Sequence, residues 1–230
     1  MAAAGPRGPF GGDWTAELVV IDPVGVLLDM AAAERARWGW WARRVGADPA
    51  AVATDAAALP VAAVVGRHAP DADPAAEAAV LTARLELLLR TVRRTRGAAA
   101  LLRALPRGRG AVWTRLDGDE LDRVLGRARL APPGPTLTGL GGPDAAERAA
   151  AFLAGLGCTP ARAVALEGGT AGATRSRALG CPTVLVGDEG GLGVGASPPD
   201  VVRLRDAALI GLRPDADGVA VSLRRESRLR

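Results

Sequence analysis

The stretch Leu18-Val19-Val20-Ile21-Asp22-Pro23-Val24-Gly25-Val26-Leu27-Leu28-Asp29 constrains the fold more than any other part of the chain. An apolar run that stops at a carboxylate, followed by Pro and a Gly-containing turn, has the character of a strand buried on both faces, as in a parallel sheet. Open α/β folds place their ligand sites at the carboxyl ends of such strands. Asp22 therefore stands where chemistry is expected. The plain structural alternative is a strand-end Asp whose side chain caps the following turn.

The rest of the chain continues in a βα rhythm. Apolar strand candidates at 110–114, 136–138, 163–167 and 182–187 alternate with helical segments at 97–105, 119–129, 144–157 and 171–179. Together with the Asp22 strand they predict an α/β fold with a parallel five-stranded sheet covered by helices on both faces. Segments 204–212 and 219–223 bracket Pro214-Asp215-Ala216-Asp217-Gly218 and predict a C-terminal β-hairpin. Between Asp29 and Gly97 the pattern is helical. A helix over 30–45 places Trp38 and Trp41 on one face with Trp40 beside them. Gly46-Ala47-Asp48-Pro49 ends it, with Asp48 as the cap of a second helix, and a third starts at Asp73-Pro74 and carries Leu81, Leu85, Leu88 and Leu89. The expected division is a flexible leader at 1–13, an α/β core at 14–29 and 97–230, and a helical unit at 30–96.

The alphabet narrows the chemistry. The sequence contains no Lys, Asn, Gln or Tyr and one His. A Schiff-base lysine and side-chain amide donors are thereby excluded, and His68 is left as the single neutral-pH proton carrier. A sequence pI near 10.6 suggests nucleic acid, but the formal net charge is only +4. The Arg-rich end, 224–230, has no interleaved aromatic residues, so nucleic acid is not the expected partner. No apolar stretch reaches the roughly 18 residues of a membrane span, and the opening residues lack the apolar core of a signal peptide; a cytoplasmic location is expected. Cys158 and Cys181 have no metal-ligand spacing and read as packing residues.

The Asp22 segment resembles the first motif of the haloacid dehalogenase-like superfamily: strand, Asp, any residue, Asp, Gly, Thr or Val, Leu. Thr114, at the end of its strand, matches the second motif, and Ala163 to Gly180 is similar to the fourth motif of the β-phosphoglucomutase and sugar-phosphatase branch through Glu167, Ala171-Gly172 and Leu179-Gly180. The resemblance implies a Rossmann-like core with an inserted α-helical cap. It assigns Asp22 as nucleophile, Thr114 as holder of a phosphoryl group, and Mg2+ as cofactor, bound by Asp22, the Val24 backbone carbonyl and, indirectly, Glu167. Val65-Gly66-Arg67 is similar to a cap turn that meets substrate, which makes Arg67 a substrate-binding candidate; His68, beside it and before Pro70, is another, its alternative being a solvent-exposed loop histidine. Arg115, next to Thr114, is a third; its alternative is a surface Arg opening the next loop.

Several positions depart from the family pattern. The general acid is replaced by Val24, the metal-binding Asp by Gly168, and the third-motif Lys has no counterpart near Gly141-Gly142-Pro143-Asp144. Loss of a general acid alone typically costs roughly 100 to 10,000-fold. Dehalogenase chemistry, which tolerates loss of the second Asp, relies on Lys, Tyr and Asn, all missing here. These losses predict a catalytically impaired or inactive protein, a pseudoenzyme that binds a small phosphorylated ligand or a protein partner. The alternative is a weak Mg2+-dependent phosphatase of a small phosphorylated metabolite such as a sugar phosphate. Trp38, Trp40 and Trp41 read as packing rather than a sugar platform, and the Gly-rich segment 187–195 as a loop near the cleft.

Overall fold

The computed structural model describes residues 14–187 and 201–223; the expected leader 1–13, the Gly-rich loop beyond Gly187 and the Arg-rich end 224–230 lie outside the described residues. In chain order the elements begin with β1 (Trp14–Ala16), β2 (Leu18–Ile21), a broken turn α1 (Pro23–Val26) and β3 (Leu28–Asp29). Four helices follow, α2 (Ala31–Val45), α3 (Pro49–Ala56), α4 (Val61–His68) and α5 (Pro74–Leu88), and the chain returns through β4 (Arg93–Arg94). The remainder is α6 (Ala98–Ala104), β5 (Gly110–Trp113), α7 (Gly118–Arg127), β6 (Thr136–Leu137), α8 (Ala145–Gly155), β7 (Ala163–Glu167), α9 (Thr170–Ala178), β8 (Thr183–Val186), β9 (Val202–Leu204), β10 (Ile210–Asp215) and β11 (Gly218–Leu223).

The main sheet has six strands in the order β6-β5-β2-β7-β8-β9, and every neighbouring pair is parallel. β2 lies inside it and all four of its residues are buried. Alternation along the strand divides them between two cores. Val19 and Ile21 pack with Val112, Val164, Leu166 and Val184, while Leu18 and Val20 pack with Ala111, Trp113, Ala163 and the α8 residues Ala149 and Leu153. Cys158 and Cys181 are buried, unpaired members of the second core.

Three details correct the sequence expectation. The sheet has a sixth strand, β9, pairing Val184 with Val202 and Val186 with Leu204. The apolar segment 204–212 reads as one hairpin arm, but Asp206 splits it: its side chain accepts a bond from the Ala208 amide at 2.9 Å and starts a short 3-10 turn before β10. The hairpin itself is β10 with β11, and β1 joins β11 to complete a three-stranded antiparallel sheet. The helical unit contains four helices rather than three, because Pro60 separates α3 from α4.

Local signals act as the sequence implies. Asp48 accepts from the Ala50 and Ala51 amides, and Asp73 accepts from that of Ala75, each followed by Pro at the first helical position. Trp38 and Trp41 share a face and meet edge to face, with centroids 5.8 Å apart, in a core with Val52, Val64, Val65 and Leu81. The unit is inserted between β3 and β4, which pair antiparallel through Leu28 with Arg94 and Asp29 with Arg93. Just after this crossing, Gly97 adopts φ +86° with its Cα pressed against the Ala207-Ala208 backbone, a place and a conformation that suit only glycine. No helix among the described residues is long and apolar enough to cross a membrane.

Candidate functional site

Asp22 ends β2 in the middle of the sheet's carboxyl edge. Its amide donates to the Leu166 carbonyl at 2.9 Å, and its Oδ1 accepts from the Val24 amide at 3.1 Å. The side chain thus caps the following turn, as the structural alternative expects. It also lines a cavity of about 560 Å³, together with Gly168, Gly169, Arg115 and Arg175.

Glu167 lies beneath this cavity, fully buried at the end of β7. Its Oε1 accepts from the Trp113 indole at 2.9 Å and from the Ser176 hydroxyl, and lies 3.5 Å from an Arg175 guanidinium nitrogen. The Arg175 guanidinium is also 5.7 Å from the centroid of the Trp113 ring. Oε2 has no hydrogen-bond partner among the described residues. Burial raises the Glu167 pKa, against the opposing pull of Arg175, Ser176 and Trp113. Asp22 is pushed up to about 7, first by burial and then by repulsion from Glu167, with the Val24 amide, Arg115 and Arg175 opposing. Near neutral pH the Asp22 carboxyl is therefore largely shared between its neutral and ionised forms. A neutral carboxyl donates a hydrogen bond and is a poor nucleophile.

The described residues around Asp22 do not fit a divalent cation. Mg2+ takes oxygen ligands at about 2.0–2.1 Å in near-octahedral geometry. The Val24 carbonyl, which the motif resemblance assigns to the metal, packs directly against Gly168: a Cβ at Gly168 would fall inside its contact distance. Gly25, at φ +89°, closes the same contact, and a Cβ there would lie 2.6 Å from the Gly168 Cα. Oε1 of Glu167 is occupied by Trp113, Ser176 and Arg175, and Oε2 packs against the Cα side of Gly172. Among the described residues no three His, Cys, Asp or Glu side chains converge on one point. The positive charge beside Asp22 comes from two guanidinia instead.

Arg115 is not the surface residue of its alternative reading. Its side chain faces the cavity and donates to Glu34 Oε2 at 2.8 Å. Glu34 in turn accepts from the Trp38 indole at 3.1 Å and pairs with Arg37 at 3.1 Å, and Arg37 bonds Glu120 at 2.5 Å. Glu34, Arg37 and Glu120 are at most 1% exposed. This chain of charges joins α2 of the inserted unit to α7 and the end of β5. Burial alone would raise Glu34, but Arg37 and Arg115 outweigh it and hold the carboxyl down to about 2.

The other sequence candidates fall elsewhere. Thr114 is buried, and its hydroxyl accepts from the Leu116 amide at 3.3 Å rather than lining the cavity. Arg67 and His68 close α4 and pair with Asp55 of α3 at 2.6 and 2.8 Å, away from the cavity lining. Trp38 and Trp41 are core residues, and Trp40 stacks beneath Arg44 and Arg84. Sequence reasoning missed Arg175, Trp113 and the Glu34–Arg37–Glu120 chain. A signal for Arg175 existed: Gly172, whose Cα packs on the Glu167 carboxylate, lies three residues earlier and so shares its helix face.

No protein-family model and no curated protein matches the sequence. The fold does match solved structures. CbbY from Rhodobacter sphaeroides, in complex with phosphate, superposes with a TM-score of 0.68 at 17% identity, over 84% of this chain and 96% of that one. β-Phosphoglucomutase from Clostridium difficile gives 0.66 at 14% identity, over 84% and 92%. A predicted phosphoglycolate phosphatase from Haemophilus somnus 129pt gives 0.61 at 15% identity, over 84% and 95%. The chain shares the fold of these structures, the α/β core with an inserted helical unit that the motif resemblance implies.

Proposed function

We propose that the cleft at Asp22 binds a small phosphorylated ligand and does not hydrolyse it by the Mg2+-dependent route of its fold. The observation that carries this reading is the closed metal corner: Gly168 lies against the Val24 carbonyl, and Arg175 is paired with Oε1 of Glu167. In-line attack on a phosphate ester needs an ionised nucleophile, an offset for the charge on both partners and an acid for the leaving oxygen. Here the nucleophile position is held partly neutral, and Val24 offers no proton. The same features suit binding. Arg115 and Arg175 present charge-assisted donors to phosphoryl oxygens, and a neutral Asp22 carboxyl adds an O–H donor instead of a repelling charge. That CbbY of the same fold was crystallised with phosphate supports the choice of ligand class.

The test is a hydrolysis panel of sugar and nucleotide phosphates with and without Mg2+, run beside Asp22→Asn. The expected result is no turnover above that of the variant under either condition. Mg2+-dependent turnover that disappears in Asp22→Asn would overturn the reading and establish a weak phosphatase built on Asp22.

A further inference from the structure

The inserted helical unit has a core of its own around Trp38 and Trp41, yet one edge of it is built into the main core. Met30 and Ala33 at the start of α2, with Leu85 of α5 and Leu89 and Val92 just beyond it, belong to the same buried apolar cluster as Leu116, which follows β5, and Leu121 and Val124 of α7. Two buried ion pairs of opposite sense cross the same boundary, Glu34 to Arg115 at 2.8 Å and Arg37 to Glu120 at 2.5 Å. A more exposed pair, Glu86 of α5 with Arg123 of α7, adds a third crossing at 2.9 Å. At a second place the turn between α3 and α4 rests on Gly141 of the core, where a Cβ would lie 2.7 Å from Pro60 Cδ and 2.8 Å from the Ala58 carbonyl oxygen. The connections are held too. Leu28 and Asp29 pair with Arg94 and Arg93, the Thr95 amide donates to the Leu27 carbonyl at 2.9 Å, and the Thr95 hydroxyl donates to that of Val26 at 2.5 Å.

A unit that swung as a lid would have to separate these contacts each time. The ion pairs oppose separation less than their burial suggests, because parted charges recover their hydration. Their effect is to fix one register of the unit on the core. The apolar edge is what resists opening, since opening returns Met30, Leu85, Leu89 and Val92 to water. Nor does access to Asp22 call for movement: Asp29, Ala32, Ala58, Arg93 and Arg94 line the same cavity and are exposed with the unit seated.

We infer that the helical unit is a fixed wall of the cleft rather than a moving lid. It stays seated on the core whether the cleft is empty or filled, held by the apolar edge and registered by the Glu34–Arg115 and Arg37–Glu120 pairs, and ligand enters and leaves through the solvent-exposed side. Lid closure serves phosphoryl transfer by expelling water from around the reacting groups. A wall that never closes gives that up and leaves a site fit for binding, which agrees with the anion-site reading above without depending on it.

Spin labels at Ala63→Cys on α4 and Glu147→Cys on α8, exposed positions on the two sides of the boundary and outside the cavity lining, read the seating as a distance by double electron–electron resonance. Cys158 and Cys181 are buried and stay unlabelled in the folded protein. Without ligand the labelled protein should give one narrow distance distribution, and inorganic phosphate should leave it in place. In a urea series the loss of that distance should share its midpoint with the loss of far-ultraviolet circular dichroism, because seat and core unfold as one. Adding Leu85→Ala and Leu89→Ala to the labelled protein should move the midpoint of the distance below that of the circular dichroism. A second, longer distance in the absence of urea would overturn the inference. So would a distribution that phosphate shifts, or a wild-type seat lost at lower urea than the circular dichroism. Midpoints that still coincide in the Leu85, Leu89 variant would overturn the apolar edge as the holding contact. The urea series contains no ligand, so its result stands whatever becomes of the anion-site reading.

Discussion

The Asp22 carboxyl should cost the protein stability at neutral and alkaline pH, and Asp22→Asn should recover it. The folded protein raises this group from 3.8 to about 7. Between those values the folded state holds a proton that the unfolded chain has released, so the contribution of Asp22 is most favourable below about pH 4, declines as pH rises and levels off above about pH 7. The span corresponds to a ceiling of about 4 kcal/mol, and contact with water in the cleft brings the expected loss nearer about 2 kcal/mol. Asn keeps an acceptor for the Val24 amide and cannot ionise. Urea unfolding of both proteins at about pH 5 and about pH 8 reads the effect. Asp22→Asn should match wild type within about 1 kcal/mol at the lower pH and exceed it by about 2 kcal/mol at the higher. A difference between the two proteins that does not change with pH, or wild-type stability that gains on the variant as pH rises, would refute the assignment of a neutral-leaning Asp22.

The buried charge chain and the closed corner give further outcomes. Arg37→Ala leaves Glu34 and Glu120 without their shared partner and should cost about 3–5 kcal/mol in denaturant unfolding, whereas Arg37→Met with Glu120→Leu should recover more than half of that. Glu34, held down to about 2 by Arg37 and Arg115 against its burial, contributes stability that is complete above pH 4.5 and is lost as pH falls toward 2. Glu34→Gln should flatten that acid limb in a pH series of thermal melts. Gly168→Asp restores the family's carboxylate on paper, but its Cβ meets the Val24 carbonyl; the variant should unfold about 1–3 kcal/mol more easily and give no Mg2+ binding heat.

What was legible in the sequence was local. The apolar run ending in Asp22, the helix caps Asp48 and Asp73 and the Trp38–Trp41 face each follow from residues a few positions apart, and the structure keeps them. Even β9 escaped only because it is a three-residue edge strand merged, in the pattern, with the hairpin arm beyond Asp206. The site was less legible because its partners come from different elements. Glu167 meets Trp113 from β5 and Ser176 and Arg175 from α9; Arg37 meets Glu120 across 83 positions. A sequence shows that Lys is missing from this chain. It does not show that Arg175 turns toward the vacated carboxylates, because that depends on the face α9 presents to β7 and β8. Arg67 and His68 illustrate the converse: a family resemblance points them at substrate, while Asp55, one helix earlier, engages both.

The central claim is that guanidinia, not a metal ion, balance charge in this cleft. Calorimetric titration of inorganic phosphate into the protein, once in EDTA and once in excess Mg2+, addresses it most directly. The account predicts the same phosphate affinity in both, no heat from Mg2+ alone, and loss of binding in Arg175→Ala. Phosphate binding that requires Mg2+, or Mg2+ binding that Asp22→Asn abolishes, would contradict it.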